Sequence, residues 1–303
     1  MSQLVKKIRT SAGDLPIDYN ALANLPTISN PNLLINSDFR NPVNQRGQTS
    51  YIGGEQKYYT IDRWCMGEND FNRTVEVVSG GVKIINPNTS YNGTFQQIFE
   101  NTLPHGTYTI SVNVIAKNGN AIMYCTGSHG STKKNLVIGM NTLTLTGATI
   151  NAVRIETSPS SDITLEWMKL EVGSVATQFS PKTYAQELSE CQRYFTILGG
   201  IRAPGVEQDK NANTFTYSIP RNCMMRTIPS ISIRGTTTTN STDGICVRTI
   251  GCAVIPGFTF EYSVQNWELW VVAKHSGPLT ENCYETQLFI NNAFKICLDA
   301  EIY

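Results

Sequence analysis

Charge imbalance is the first thing this chain lacks: lysine plus arginine and aspartate plus glutamate each number 24 among 303 residues. A nucleic-acid partner would leave a basic excess or a basic stripe, so none is expected. No apolar run approaches the ~20 residues of a membrane-spanning helix, and no membrane insertion is expected either. The opening MSQLVKKIRTSAG carries positive charge without an apolar core. That does not read as a secretory signal and points to assembly in a cytosol. The eight cysteines include no C-x-x-C pair; the closest two, Cys246 and Cys252, sit in strand-like sequence with no histidine nearby. Buried free thiols follow from that pattern, rather than a zinc site or a disulfide framework. Histidine is scarce as well. His105, His129 and His275 each lie near glycine in turn-like triplets, where none is placed to work between a carboxylate and a nucleophile. With no G-x-S-x-G, H-E-x-x-H or G-x-x-x-x-G-K-[ST] segment, the expectation is a protein without enzymatic activity, metal or cofactor.

What is present is β-forming sequence cut by turns, with 23 glycines, 13 prolines and 40% hydrophobic residues. That composition belongs to a folded chain and not to a disordered one. Tyr108, Ile110, Val112 and Val114 alternate with Thr109, Ser111 and Asn113, the period of a half-buried strand. Pro104-His105-Gly106 reads as a turn before it, and Asn118-Gly119 carries a hairpin signal after it. Many short strands of this kind between Asn32 and Phe179 predict a sandwich or jelly roll, since no helical periodicity separates them. A second β-rich segment follows from Thr196, ending in Phe294, Ile296, Leu298, Ala300 and Ile302 on one face, with Lys295, Asp299 and Glu301 on a wet one. In the leader, Gly13-Asp14 suggests a turn and Asp18–Leu25 a short helix. Leu15, Ile17, Tyr19, Leu22 and Leu25 are too many apolar groups for a solvated tail, so the leader is expected to attach or to lock an oligomer.

The chain is organised around Ser161–Phe195. Ile163, Leu165 and Trp167 alternate, then the apolar parity flips to Met168, Leu170 and Val172, which predicts a β-bulge near Trp167–Met168. Ser180 as N-cap and Pro181 at the first helical position predict a helix ending at Phe195. Its stripe Tyr184, Leu188, Cys191, Phe195 has the spacing helices use to meet one another. The expected architecture is therefore all-β: an attachment segment over 1–30, a jelly roll over 31–180, a linking helix over 181–195 and a second β-sandwich over 196–303.

The run LEVGSVATQFSPKTYAQELSECQRYF resembles the junction found in many bacteriophage tail-fibre and related virion-appendage proteins, where a jelly roll like those of carbohydrate-binding modules meets a short helix. NLLINSDFRNPVNQRG (Asn32–Gly47), YTIDRW (Tyr59–Trp64) and SIPRNCMMRTIP (Ser218–Pro229) extend the resemblance. It implies a structural fibre or decoration protein on the virion surface that binds host-surface glycan, and a homotrimer with its linking helices near the threefold axis. Other virion proteins would be met through the leader. The alternative is a bacterial carbohydrate-binding or glycan-processing protein using the same jelly roll.

A sugar-binding surface needs flat side chains against C–H faces and polar neighbours for the hydroxyls. Trp64 and Trp167 read as core, so the candidates are Trp270, on the face opposite Trp267, with Tyr262 and Tyr284. Glu156, Asp162, Glu166 and Glu171 are the acids from which a glycosidase pair would be drawn. The fold resemblance also implies that a structural calcium, if present, would draw on Asn36, Asp38 and Glu171. Three scattered oxygen donors fall short of the six to eight that calcium takes, so no metal is assigned.

Overall fold

A computed structural model describes residues 29–55, 57–128, 132–209, 213–221, 223–234, 244–249, 254–265, 268–277, 286–291 and 294–302, with the backbone of 7–10 and 13–16. The described chain is mostly β-strand with one helix, as the alternating sequence predicts. Its hydrophobic residues gather into two cores, one between Leu34 and Leu170 and one between Ala203 and Ala300.

Two long strands, Gly93–Asn118 and Gly139–Thr157, organise the first core. They pair antiparallel along their whole length, through register shifts between Leu145 and Ala152. One end of the pair continues into Cys65–Met66 and Ala121–Thr126. The other end continues through Ser161–Val172, Gly81–Asn86, Thr74–Val78 and Ser50–Ile52. The two halves thus serve two layers. Phe95, Met123, Val153 and Ile155 from one meet Ile110, Val112, Leu165, Met168 and Leu170 from the other in a single core. Pro104-His105-Gly106, expected as a turn, instead lies within the continuous strand where it passes between layers. Asn118-Gly119 does turn, with Gly119 at φ +74°, but it joins strands that do not pair. Asn118 faces Asp162, whereas Ala121 faces Thr157.

The predicted bulge is present. Leu165 faces Val114 and Trp167 faces Asn113, leaving Glu166 as the extra residue. Because the flip falls before Trp167, that side chain is buried as expected but on the face opposite Leu165, outside the first core, where it stacks on Phe179 at 4.6 Å and 7°. Trp64 does occupy the core, stacked on Phe95 at 4.9 Å with its indole N–H donating to Asn36 O. On the outer face, buried Lys169 donates to Thr177 Oγ1 (2.6 Å) and Ser29 Oγ (3.0 Å), and Glu171 accepts the Thr177 N–H (2.8 Å). Burying this pair is tolerable because each charge is both paired and hydrogen-bonded.

The second core is built on three strands, Phe195–Leu198, Lys295–Asp299 and Ser230–Arg234, and on a larger sheet. In that sheet Ile201–Asp209, which alternation did not reveal, pairs with Thr286–Ile290 through its first half and Thr214–Pro220 through its second. Glu268–His275 and Phe258–Gln265 complete that side. Phe294, Ile296, Leu298 and Ala300 are buried as expected, but Glu301 on the supposedly wet face is buried too.

The helix is shorter than predicted, Tyr184–Gln192, or about 13 Å. Thr183, not Ser180, caps it, because Thr183 and Gln186 form a reciprocal capping box that Ser180 has no partner to make. Phe195 lies beyond the helix, in a strand. The helix buries Glu187 and Cys191, leaving Leu188 half-buried and Tyr184 exposed. The inward stripe is thus Glu187, Cys191 and Tyr194, with Glu187 accepting the Asn36 N–H at 2.6 Å. Cys191 and Phe195 are buried within the chain, so of the four predicted interface residues only Tyr184 and Leu188 remain outward.

The two cores meet at a buried ionic joint. Arg63 pairs with Glu301 at 2.5 Å and lies 3.6 Å above the Tyr194 ring. Arg46 pairs with Asp62 at 3.0 Å and lies 3.8 Å above Phe195, with Glu301 3.6 Å away. Asn36 donates to Val43 O and Asp62 O, Gln45 donates to Asp62 and to Phe195 O, and Arg226 donates to Ala300 O. The most deeply buried charges, Arg46 and Arg63, are thus met by Asp62 and Glu301, with Asp299 3.7 Å from Arg46, and that pairing offsets the cost of burying them. Every one of the four sequence boxes contributes residues here.

In the leader, Gly13–Pro16 pairs with Lys7–Thr10. Gly13-Asp14, expected as a turn, is therefore strand, and Leu15 sits opposite Ile8. Ile17, Tyr19, Leu22 and Leu25 lie outside the described residues. Six cysteines are described and all are free, with Cys223 alone among them partly exposed; Cys252 is outside the described residues.

Candidate functional site

A groove of about 390 Å³ opens where two loops of the first core run side by side. One loop, Gly67–Arg73, links the strands Cys65–Met66 and Thr74–Val78; the other, Pro87–Asn92, links Gly81–Asn86 to Gly93–Asn118. Glu68, Asn69, Asp70, Phe71, Arg73, Asn88, Tyr91 and Asn92 line it.

Local chemistry fixes both loops. Asn69 (φ 57°) and Asn72 (φ 61°) adopt the left-handed conformation that asparagine tolerates better than most residues, turning the first loop twice. Asp70 caps the loop from inside, accepting the Gly67 N–H at 2.8 Å and the Thr94 N–H at 3.2 Å. Arg73, also buried, pairs with Asp70 and donates to Asn69 O, Asn86 Oδ1 and Asn92 O. A Cβ at Gly93 would run into the Arg73 side chain, so glycine is needed there. Asn88 Oδ1 accepts the N–H groups of Ser90 and Tyr91 at 2.8 and 3.0 Å, an Asx turn that presents Tyr91. Burial raises the Asp70 carboxyl above its usual range, with Arg73 and the two N–H donors opposing the rise.

Over this rigid floor stand two aromatic rings, Phe71 at 45% and Tyr91 at 71% exposure. Neither ring contributes to the first core. Around them, among the described residues, Asn69 makes no side-chain bond and the Asn88 amide N–H₂ has no partner. Asn92 donates its N–H₂ to Glu156, and its side-chain oxygen has no partner among the described residues. Flat apolar rings beside unspent amides match a sugar, which offers C–H faces and hydroxyls that both donate and accept.

The aromatic candidates in the second core do not assemble. Tyr262 pairs with Val271, on the face that packs on the core, whereas Trp270 pairs with Ser263 and Ser218 on the other. Trp270 is half-buried and donates its indole N–H to Glu268 at 2.9 Å. Tyr284 lies outside the described residues. The suggested calcium donors are engaged separately: Asn36 on Val43 and Asp62, Asp38 on Arg40, Glu171 on Thr177. The acids considered for glycosidase chemistry are likewise held by different partners, Glu156 by Asn92 and Tyr124, Asp162 by Lys83, Glu166 by Asn113. His275, expected in a turn, instead ends the strand Glu268–His275. Its ring packs on Phe258 at 5.0 Å, with its nitrogens 2.6 Å from Gly277 O and 3.0 Å from Pro256 O.

Sequence reasoning missed the groove because its aromatics sit singly in loops and follow no period. The available signal was GENDFNR and NPNTSYNG, two asparagine-rich turns each carrying one aromatic ring with no alternating partner. Compared with known proteins, the chain matches no family model and no curated relative.

Proposed function

We propose that this chain is a structural fibre or decoration protein of a bacteriophage particle, displayed on the virion surface, that holds host-surface glycan in the Phe71–Tyr91 groove. The observation that carries the binding half of the reading is the pair of exposed rings on loops whose backbone is fixed from beneath. Two large rings, both outside the first core and lining one groove, form the kind of apolar patch a binding surface presents. The virion half rests on the resemblance of the four boxes, which have a common structural task in the joint between the cores. In this reading the first core is the jelly-roll domain, the second a β-sandwich domain, and the leader from Leu15 to Leu25 joins the particle.

The test is direct. Mass spectrometry of purified virions from a host carrying the gene should find the chain, and fluorescently labelled protein should bind bacterial surface polysaccharide. Phe71→Ala and Tyr91→Ala should each lower that binding at least tenfold without changing the circular dichroism spectrum. Absence from the virion, or binding indifferent to both variants, would overturn the corresponding half. The proposed assembly is a homotrimer, with Tyr184 and Leu188 as the helix residues left to meet other copies. Light scattering should give three times 33.5 kDa, reduced by Leu188→Asp. A monomer at micromolar concentration would rule the trimer out.

A further inference from the structure

We infer that the Phe71–Tyr91 groove takes uncharged sugars and turns acidic ones away. The inference rests on the reading of the groove as a glycan site and adds the class of glycan. Its basis is the charge inventory of the lining. Arg73 is the sole cation among the lining residues, and it is 3% exposed. Each of its three nitrogens donates to the chain: Nε to Asn86, one terminal nitrogen to Asp70 and Asn69 O, the other to Asn92 O. Asp70 neutralises it from inside. No cation is therefore presented to a ligand.

One carboxylate is. Glu68 lines the groove with its side chain 64% exposed, and the nearest cation, Lys57, is 3.9 Å away and outside the lining. A uronic, sialic or phosphorylated sugar would bring a second anion beside Glu68, whose only contact with a cation among the described residues is the long one to Lys57, and find no free guanidinium or ammonium among the lining residues to receive it. Like charges about 4 Å apart in water repel by about 1 kcal/mol, which is about fivefold in affinity. Neutral sugars meet no such penalty. Their hydroxyls find acceptors in Asn69 and Asn92 and donors in Asn69 and Asn88, while their C–H faces lie on Phe71 and Tyr91.

The full chain is titrated calorimetrically with neutral oligosaccharides of glucose, galactose, mannose and N-acetylglucosamine. Counterparts in which one sugar is a uronic or sialic acid are titrated alongside. At low salt the expected result is a neutral oligosaccharide that binds at least fivefold more tightly than its acidic counterpart. Phe71→Ala and Tyr91→Ala should lower the neutral affinity about tenfold. Glu68→Gln, at an exposed rim position, should narrow the gap between neutral and acidic partners. An acidic counterpart that binds wild type as tightly as the neutral one, and that still needs Phe71 and Tyr91, would overturn this inference while leaving the glycan reading standing. No neutral or acidic sugar depending on those two rings would overturn both.

Discussion

In the second core, Tyr262 and Trp270 stand on neighbouring paired strands yet project from opposite faces of one sheet. In the first, Phe71 and Tyr91 belong to separate loops and line one groove. The difference lies in what fixes each pair. Strand aromatics are committed by the pleat, which assigns successive residues to alternate faces whatever the ligand needs. Loop aromatics are free of that period and can be aimed, provided something else holds the backbone. Here the Asp70–Arg73 pair and the Asn88 turn do so.

The largest expected effect comes from separating the cores that carry the two aromatic pairs. Removing one partner of a buried ion pair costs about 3–5 kcal/mol. Arg63→Met should therefore lower stability by that amount in chemical denaturation, and split a single transition into two as the cores lose their joint. A loss below about 1 kcal/mol would show that the joint does not couple them.

A smaller effect comes from pH. Burial raises Asp62 from 3.8 to about 6, against the pull of Arg46 and Gln45. Between about pH 4 and 6 the folded protein then holds a proton that the unfolded chain has released, so this group's contribution to stability falls as pH rises through that window. Glu171 and Glu100 lie on the other side of the ledger. Thr177 with Lys169, and Arg193 with Tyr194, hold their carboxyls below the usual range despite the opposing pull of desolvation. The stability they contribute is present above their unfolded values near 4.5 and is lost as pH falls below that. Denaturation midpoints for wild type and Asp62→Asn, measured from pH 4 to 7, should show the variant with the less negative slope between 4 and 6. Identical slopes would remove Asp62 as the cause.

The smallest effect sharpens the contrast within the second core. Tyr262 has a buried hydroxyl without a hydrogen-bond partner among the described residues. Tyr262→Phe removes a desolvated polar group and should raise stability by up to about 1 kcal/mol. Phe71→Ala, on the exposed loop, should stay within about 0.5 kcal/mol of wild type. A destabilised Tyr262→Phe would mean that the hydroxyl is satisfied and Tyr262 is more than packing.

The sequence by itself determined where most strands run, a bulge close to Trp167 and the apolar face from Phe294 to Ala300, because each is written in a period of two over a few residues. It could not tell that Asn118-Gly119 joins strands of different layers, since a turn looks the same whether or not its flanking strands pair. Glu301 read as a solvated acid until tertiary structure brought it Arg63, and Glu187, outside the predicted helix stripe, is buried because it meets the Asn36 N–H. The groove belongs to the same class. Phe71 and Tyr91 share it because Thr74–Val78 pairs with Gly81–Asn86 and brings their loops to one end of the sheet. Pairing between strands is a long-range choice, set by burying one common core, and no local period encodes it.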